Sequence, residues 1–311
     1  YNGVMDHLYM EGSDASGVQP FTSAKVRNQG FETTIGYNFR LAKDVNWRTS
    51  YNVSYNSNKI LKTAYNDQGK ELIQQQVVGG TYIRYKEGGS IGDMYIHDFE
   101  RDANGNIALT KSGAPRFKSS GQDADLIYVG NMNSKWQMGW SNNFNYKDFT
   151  LSFLINGRIG GKVISLTEAY LDQNGLSQRV ADARLNAERN NIVATDYKNA
   201  PGMQLNDGSG RIVPVEAYYK AMGASTNPYN YIYNATNFRL RELSLGYTFR
   251  NLLGQNKNLN VAFIARNLFF LYNDSPVDPD VSLSTANGLG AFELFNMPSS
   301  RSFGLSLKLN F

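Results

Sequence analysis

The last eleven residues of the chain, Arg301–Phe311, read RSFGLSLKLNF. Apolar and polar residues alternate along this stretch without a break, and its apolar members are Phe303, Leu305, Leu307, Leu309 and Phe311. A period of two gives a β-strand one apolar face and one polar face. Ordinary strands run about 5–6 residues, whereas a tilted strand that crosses a membrane needs about 9–11. The length of the stretch favours a transmembrane strand, provided that the rest of the chain repeats the pattern.

The same alternation does recur along the chain. One side of each repeat is apolar and often aromatic, and the other side is rich in Asn, Ser and Thr. Lipid on one side and a water-filled interior on the other would explain both faces. The stretches are residues 31–40, 47–56, 135–146, 149–159, 242–249 and 259–270.

The composition supports a membrane β-barrel over a bundle of membrane helices. Hydrophobic residues make up 41% of the 311 residues, yet the longest fully apolar runs, Val261–Ala265 and Leu268–Tyr272, have five residues each. A membrane helix needs about 20. Aromatic residues reach 13%, and charged residues are only 19%, below the roughly 25% of soluble domains. We therefore expect an all-β transmembrane antiparallel barrel.

Several classes of function are disfavoured by the same composition. The chain has no cysteine, so disulfides and thiolate metal sites are excluded. Its net charge of +4 is spread along the chain, which does not suggest a nucleic-acid surface. His7 and His97 lie far apart, and no stretch matches a catalytic motif. We expect neither an enzyme nor a bound cofactor or metal.

Connector length predicts how the strands run. Short connectors alternate with long ones, and barrels of this kind place short turns on the periplasmic side and long loops outside. We predict two further strands at residues 78–86 and 91–99, which gives about ten strands with a remnant near Tyr1. Phe311 would then lie at the periplasmic edge. The short connectors are 41–45, 147–148 and 250–258, and the long ones are 100–130, 162–235 and 273–300.

Two of the long connectors contain local signals of their own. Apolar spacing predicts one or two short helices at Leu176–Asn190 and a helical turn at Glu216–Met222. The sequence Asp102-Ala-Asn-Gly-Asn106 predicts a tight hairpin turn. It has the first spacings of a calcium loop, but Ile107 stands at the sixth position and Gly113 at the twelfth, so a plain turn is the better interpretation.

A set of ordered motifs resembles a known family. Their sequences are KVRNQGFE (25–32), GGSIGDMY (88–95), YVGN (128–131), NFNYKDFTLS (143–152), NFRLRELSLGYT (237–248), ARNLF (265–269) and VDPDVS (277–282). In this order they resemble the C-terminal part of a SusC/RagA-family TonB-dependent (TonB-linked) outer-membrane transporter of Bacteroidetes.

The resemblance implies a function as well as a fold. Residues 1–311 would be the C-terminal portion of a 22-stranded TonB-dependent receptor barrel whose plug, TonB box and N-terminal extension are not in this sequence. The family is multi-pass in the cell outer membrane, surrounded by outer-membrane lipid. It imports nutrients too large for porins, here an oligosaccharide or oligopeptide substrate, with energy from TonB–ExbB–ExbD and a SusD-like surface lipoprotein. Loops 162–235 and 273–300 would form the docking rim of that lipoprotein.

Two alternatives to this interpretation stay open. The first is a passive porin or a structural barrel of a surface protein complex. The second is a small barrel that ten strands close by themselves, since barrels with even strand numbers from eight upward occur.

Candidate site residues fall into three groups. Aromatic residues near strand ends can be a membrane-interface girdle, the reading we favour, or can stack on sugars. Tyrosines in a long loop suit ligand or partner binding, although they can equally form the core of the loop. Two loop aspartates can bind a cation or simply face water. The girdle residues are Trp47, Trp136, Trp140, Tyr146 and Phe311, and the loop residues are Tyr218, Tyr219, Tyr229, Tyr231, Tyr233, Asp278 and Asp280.

Basic residues on the polar face of the strands form a further set. They can steer an anionic substrate, or they can pair with carboxylates of a plug inside the barrel. The residues are Arg48, Lys135, Arg158 and Arg266.

Overall fold

A computed structural model describes residues 4–8, 19–65, 69, 71–119, 125–224, 227–252, 254–255, 257–284 and 289–310. Residue 311 therefore lies outside the described chain. The strands are β1 (Val4–Leu8), β2 (Gln19–Ala42), β3 (Val45–Lys62), β4 (Ala64–Tyr65), β5 (Glu71–Leu72), β6 (Gln74–Val78), β7 (Thr81–Tyr85), β8 (Asp93–His97), β9 (Leu126–Asn131), β10 (Trp136–Tyr146), β11 (Phe149–Ile159), β12 (Lys162–Ser165), β13 (Val193–Ala194), β14 (Ala200–Gln204), β15 (Ile212–Pro214), β16 (Ile232–Asn234), β17 (Asn237–Phe249), β18 (Asn258–Asn273), β19 (Phe292–Glu293) and β20 (Ser302–Asn310). The helices are α1 (Leu166–Gln173), α2 (Gln178–Arg189) and α3 (Val215–Met222).

One large antiparallel sheet dominates the structure. Its strand order is β1-β2-β3-β10-β11-β17-β18-β20. Every alternating stretch of the sequence lies in one of these strands, so the predicted all-β, antiparallel fold is confirmed. The longest strand, β2, has 24 residues because its polar first half continues to pair with β1 and with the far end of β3.

Strand register gathers the apolar side chains onto one face of the sheet. Trp140 lies opposite Tyr51 on one side and Ile155 on the other. Leu245 lies between Leu151 and Phe263 and is 55% exposed. The apolar residues of β20 are exposed in the same way. A continuous exposed apolar face is not typical of soluble proteins, and it is the pattern expected of a lipid-facing barrel wall.

Short turns gather at one edge of the large sheet. The backbone N–H of Lys147 donates to the carbonyl of Asp44 at 3.1 Å, and that of Thr248 donates to Asp148 at 2.9 Å, so neighbouring turns touch. Long segments leave from the opposite edge, so short and long connectors alternate as predicted, but the first long segment is 63–135 and not the expected 100–130. The short turns are residues 43–44, 147–148 and 250–257, and the long segments are 63–135, 160–236 and 274–301.

The predicted strands at 78–86 and 91–99 form a hairpin outside the large sheet. β7 pairs with β8, but both belong to a separate sheet with the order β6-β7-β8-β9, and β3 pairs directly with β10. The reason is burial, since Ile83, Met94 and Ile96 have no exposed surface. Such residues need protein on both sides, which a lipid-facing wall does not supply. The large sheet has eight described strands in place of the expected ten or so.

The three long segments fold together into a layer that we call the cap. One apolar cluster joins Ile83 and Met94 from the first segment to Ile164 from the second and Phe292 from the third. β12 pairs with β16 and, in parallel, with β19. The cap therefore has a core of its own. Among the described residues, no helix has both the length and the apolar character needed to cross a membrane.

The helices of the cap agree with the sequence signals, with one addition. α2 and α3 confirm the helices expected near 176–190 and 216–222. α1 was not expected, and it begins where the Ser165 side chain caps it by accepting from the N–H of Glu168. The turn at Asp102 also forms, because its carboxylate accepts from the N–H groups of Asn104 and Asn106.

The exposed apolar face predicts that an arginine substitution costs more stability on that face than at the neighbouring position of the same strand. Leu245→Arg should cost about 1–2 kcal/mol, since it places a charge on the lipid-facing wall between its middle and the short-turn edge. Ser244→Arg, on the opposite face of the same strand, should cost less than about 1 kcal/mol. The measurement is urea unfolding of the detergent-folded protein, followed by the heat-modifiable band on gels. Equal losses for the two variants would contradict the assignment of faces.

Candidate functional site

A polar cleft runs along the inner face of the large sheet where it meets the cap. Two adjoining cavities of about 340 and 490 Å³ share Ser54, Gln137 and Arg158 among their lining residues. We call them together the polar cleft. The other side chains that line it are largely amides and hydroxyls from β2, β3, β10, β11 and the cap, and include Asn28, Asn52, Asn56, Asn58, Ser90, Asn131, Asn133 and Asn156.

Strand register explains why amides gather in the cleft. Asn52 lies opposite Gly139, and Gly139 lies opposite Asn156, so three neighbouring strands present the same face. A Cβ at Gly139 would stand 2.4 Å from the side-chain oxygen of Asn52. Glycine at this position therefore leaves the space that the Asn52 amide occupies on the cleft wall. The result is a surface of donors and acceptors that suits a polar, neutral chain.

A cluster of arginines and aspartates closes one end of the cleft, and we call it the Arg–Asp cluster. The register of β17 shifts between Leu240 and Glu242, a bulge that re-aims side chains. Arg239 and Arg241 both line the cleft as a result, beside Arg158 of β11. The third long segment supplies Asp278 and Asp280 to these arginines.

Asp278 is held tightly in this cluster. Its carboxylate lies 2.5 Å from the Arg239 guanidinium, and the two side chains are 10% and 4% exposed. Burial alone would raise the pKa of Asp278, but hydrogen bonds from Arg239 and Ser299 outweigh it and lower the pKa. Arg239 also packs over the ring of Phe270, 4.1 Å from its centroid.

Asp280 is held more loosely than Asp278. Its oxygens lie 3.5 Å from Arg158 and 3.8 Å from both Arg239 and Arg241. Arg158 also donates to the carbonyls of Pro279 and Ala235. Asp278 and Asp280 therefore tie the third long segment to the inner face of the sheet, which is a structural role that the sequence did not reveal.

The five loop tyrosines lie together in the cap, and most of them are packed. Tyr231 has no exposed surface and Tyr219 only 8%, so these two form loop core and cannot contact a ligand in this conformation. Tyr218 and Tyr233 are half-buried. Only Tyr229, at 41%, is well exposed.

Hydrogen bonds fix two of these tyrosines beside acidic residues of α1. The Tyr231 hydroxyl donates to Asp172 at 2.9 Å, and the Tyr233 hydroxyl donates to Glu168 at 2.6 Å. Arg179 of α2 bridges the two carboxylates. Burial, together with these acids, raises the pKa of Tyr231 far above its ordinary value and that of Tyr233 to about 12. Both tyrosines are therefore neutral at physiological pH and act as donors.

The tryptophans expected in the interface girdle lie on the exposed apolar face at different heights. Trp136 is at the cap end of β10 and packs against Tyr55 and Phe31. Tyr146 ends the same strand at the short-turn edge, and Trp47 stacks on Phe144 near that edge. Trp140 lies between the two ends of β10. Phe311 lies outside the described residues.

A polar residue is buried in this apolar face. Asn142 is 1% exposed, although its strand neighbours on the face are Trp140 and Phe144. The indole N–H of Trp47 donates to its side-chain oxygen at 2.9 Å, and the indole N–H of Trp140 donates to Thr49 at 3.0 Å. The indoles satisfy oxygen acceptors that lipid cannot.

Sequence reasoning found part of this site and missed the rest. It singled out Arg158, Asp278 and Asp280, but not Arg239 or Arg241, because the bulge that turns them inward has no clear sequence signal. The amides of the cleft were visible only as one polar strand face. Among the described residues, no group of three or more acidic or histidine side chains is arranged to hold a metal ion.

Comparison with characterised proteins identifies relatives over most of the chain. TonB-dependent receptor P39 of Formosa agariphila is 25% identical over 300 residues, which cover 82% of this chain and 28% of that protein. TonB-dependent receptor SusC of Bacteroides thetaiotaomicron is 22% identical over 299 residues, which cover 92% of this chain and 26% of that protein. No family model matches the chain.

Comparison of folds finds the same architecture in a solved structure. The RagAB peptide importer in its open-open state superposes with a TM-score of 0.68 at 17% identity, over 100% of this chain and 31% of that one. The chain thus spans less than a third of the length of these relatives. The resemblance that the sequence motifs indicate is confirmed.

The buried Asn142 predicts a coupling between two residues of the apolar face. Trp47→Phe keeps an aromatic ring but leaves the Asn142 oxygen without its donor, so it should cost about 1–3 kcal/mol. Asn142→Leu in the same protein should recover part of that loss, since no unpaired oxygen remains. Urea unfolding of the two single variants and the double variant gives the coupling energy. Strictly additive losses would contradict the assigned hydrogen bond.

The Arg–Asp cluster predicts how firmly the third long segment is held. Asp278→Asn removes the close partner of the buried Arg239 and leaves it only Asp280 at 3.8 Å, which should weaken local stability by up to about 3–5 kcal/mol and expose residues 274–284 to protease. The exposed Asp274 makes no ion pair among the described residues, so Asp274→Asn is the matched control.

The same prediction has a pH dependence. Because the pKa of Asp278 is lowered from its ordinary value of 3.8, its contribution is complete above that value and is lost as the pH falls through the lowered pKa. The wild-type segment should still resist an acid protease at pH 4. Cleavage there at the rate of Asp278→Asn would contradict the prediction.

Proposed function

Since this chain is related over nearly its whole length to the SusC/RagA-type TonB-dependent receptors, we propose that it forms part of an active importer in a bacterial outer membrane. Residues 1–311 would be the C-terminal portion of the barrel, with the large sheet as its wall and the cap on the outer side. Trp136 and Tyr146 would sit in the two membrane interfaces, and Trp47 near the inner one.

The two-faced sheet is the observation that carries this proposal. Its apolar face is exposed on seven strands, and its polar face bears a cleft. These strands are β2, β3, β10, β11, β17, β18 and β20. Lipid on one side and a water-filled path on the other would satisfy both faces. A soluble protein would have to cover the apolar face with other protein.

The polar cleft suggests the kind of cargo. Its amides and hydroxyls can hydrogen-bond to the hydroxyls of an oligosaccharide or to the backbone of an oligopeptide. The RagAB relative is described as a peptide importer, and we extend to this chain only the broader class of a nutrient too large for porins. Energy would come from the proton-motive force through TonB–ExbB–ExbD.

The cap suggests where a surface partner would dock. We propose a SusD-like lipoprotein that covers the outer side, in contact with the second and third long segments. Tyr229 is exposed there and is the tyrosine best placed for such a contact. The other four would support it from within.

A passive porin or a structural barrel is the second candidate. A polar cleft is compatible with both an active importer and a passive porin. The two differ in whether ions flow through the barrel continuously, so the test measures conductance. The full-length protein is reconstituted in a planar lipid bilayer in KCl, beside a passive porin as control, and its binding to the C-terminal domain of TonB is titrated. An importer should show no persistent conductance and should bind TonB. Stable ohmic channels without TonB binding would overturn active import and support the porin.

A further inference from the structure

Arg241 is the least constrained member of the Arg–Asp cluster. Its side chain is 41% exposed, and the contact that the structure gives it is a distant one, 3.8 Å to Asp280. By contrast, Arg239 is nearly buried against Asp278 and Phe270, and Arg158 is committed to two backbone carbonyls. Arg241 is therefore the guanidinium of this cluster that can change partners at little cost.

The Arg–Asp cluster has one more positive than negative charge. Three guanidinium groups face two carboxylates, of which Asp278 belongs to Arg239. Asp280 is shared among three arginines at 3.5–3.8 Å and is itself 34% exposed. The excess positive charge borders the cavity of about 340 Å³. A cation beside a partly desolvated cavity attracts an anion more strongly than one in bulk water.

We propose that Arg241 and the adjoining cavity form an anion subsite, which takes a carboxylate carried on the imported molecule. In the absence of cargo the Asp280 carboxylate lies beside Arg241, and the carboxylate of the cargo displaces it. The proposal rests on the proposed function, since it assumes that cargo passes the polar cleft.

The rest of the cavity fits a polar chain that bears such a carboxylate. Asn52, Gln137 and Asn156 face the same space from three neighbouring strands, and their amides can bind the uncharged part of the ligand. Among the described residues that line the two cavities of the cleft, none is aromatic. Recognition here thus depends on hydrogen bonds and charge and not on ring stacking.

The test uses the full-length protein in detergent and two matched pairs of probes. Tetragalacturonate and maltotetraose compare a charged with a neutral oligosaccharide, and tetraglutamate and tetraglutamine do the same for peptides. Affinities are measured by isothermal titration calorimetry at low and high salt. We expect at least one charged probe to bind about tenfold tighter than its neutral partner, with a preference that salt weakens.

Three variants separate the subsite from a merely structural ion pair. Arg241→Gln should remove the preference, so that the charged and the neutral probe bind with similar affinity. Asp280→Asn should tighten the charged probe severalfold, because the competing carboxylate is gone. Arg266→Gln is the matched control, since Arg266 faces the same interior but pairs with Glu242 at 2.9 Å, and it should change nothing.

Each outcome bears on the proposal. A preference for the charged sugar alone, the charged peptide alone or both supports it and identifies the source of the carboxylate. No preference in the wild type, a preference that survives Arg241→Gln, or weaker binding in Asp280→Asn overturns it. Because conductance and TonB binding are measured independently, the importer can stand when the anion subsite fails.

Discussion

The structure depends on one constraint, which is that a sheet in contact with lipid must pair its backbone polar groups internally while it presents apolar side chains outward. Water is absent from the lipid core, so each unpaired N–H or carbonyl there costs several kcal/mol. Antiparallel ladders give six of the eight described strands a partner on both sides, and β1 and β20 are the two edges of the sheet. Asn142 meets the same rule in part, because its side-chain oxygen accepts from the Trp47 indole, whereas its buried amide nitrogen has no partner among the described residues.

The period of two in the sequence predicts the parts of the fold that this constraint controls. β10, β11 and β20 can be identified from alternation alone, and the register that pairs them follows from keeping one face apolar. The alternation of short and long connectors can be predicted in the same way, because turns of two residues such as 147–148 leave little freedom.

The packing of the cap could not be predicted from the sequence, because its contacts join residues that are far apart in the chain. Ile83 and Met94 look like strand residues in the sequence, but the packing of Ile164 and Phe292 against them takes them out of the wall. Nothing local in the sequence indicates that partner. The bulge at Leu240–Glu242 is a similar case, since it depends on the register of both neighbouring strands and determines where Arg239 and Arg241 point.

The parallel pairing of β12 with β19 has a consequence for the order of assembly. It joins Ile164 to Phe292, residues more than a hundred positions apart, and contacts at such separation form slowly because a long loop must close first. The last long segment also supplies Phe292 to the apolar cluster and Glu293 to Ser165 at the start of α1. The cap therefore cannot complete its core until the third long segment has folded back onto the first two.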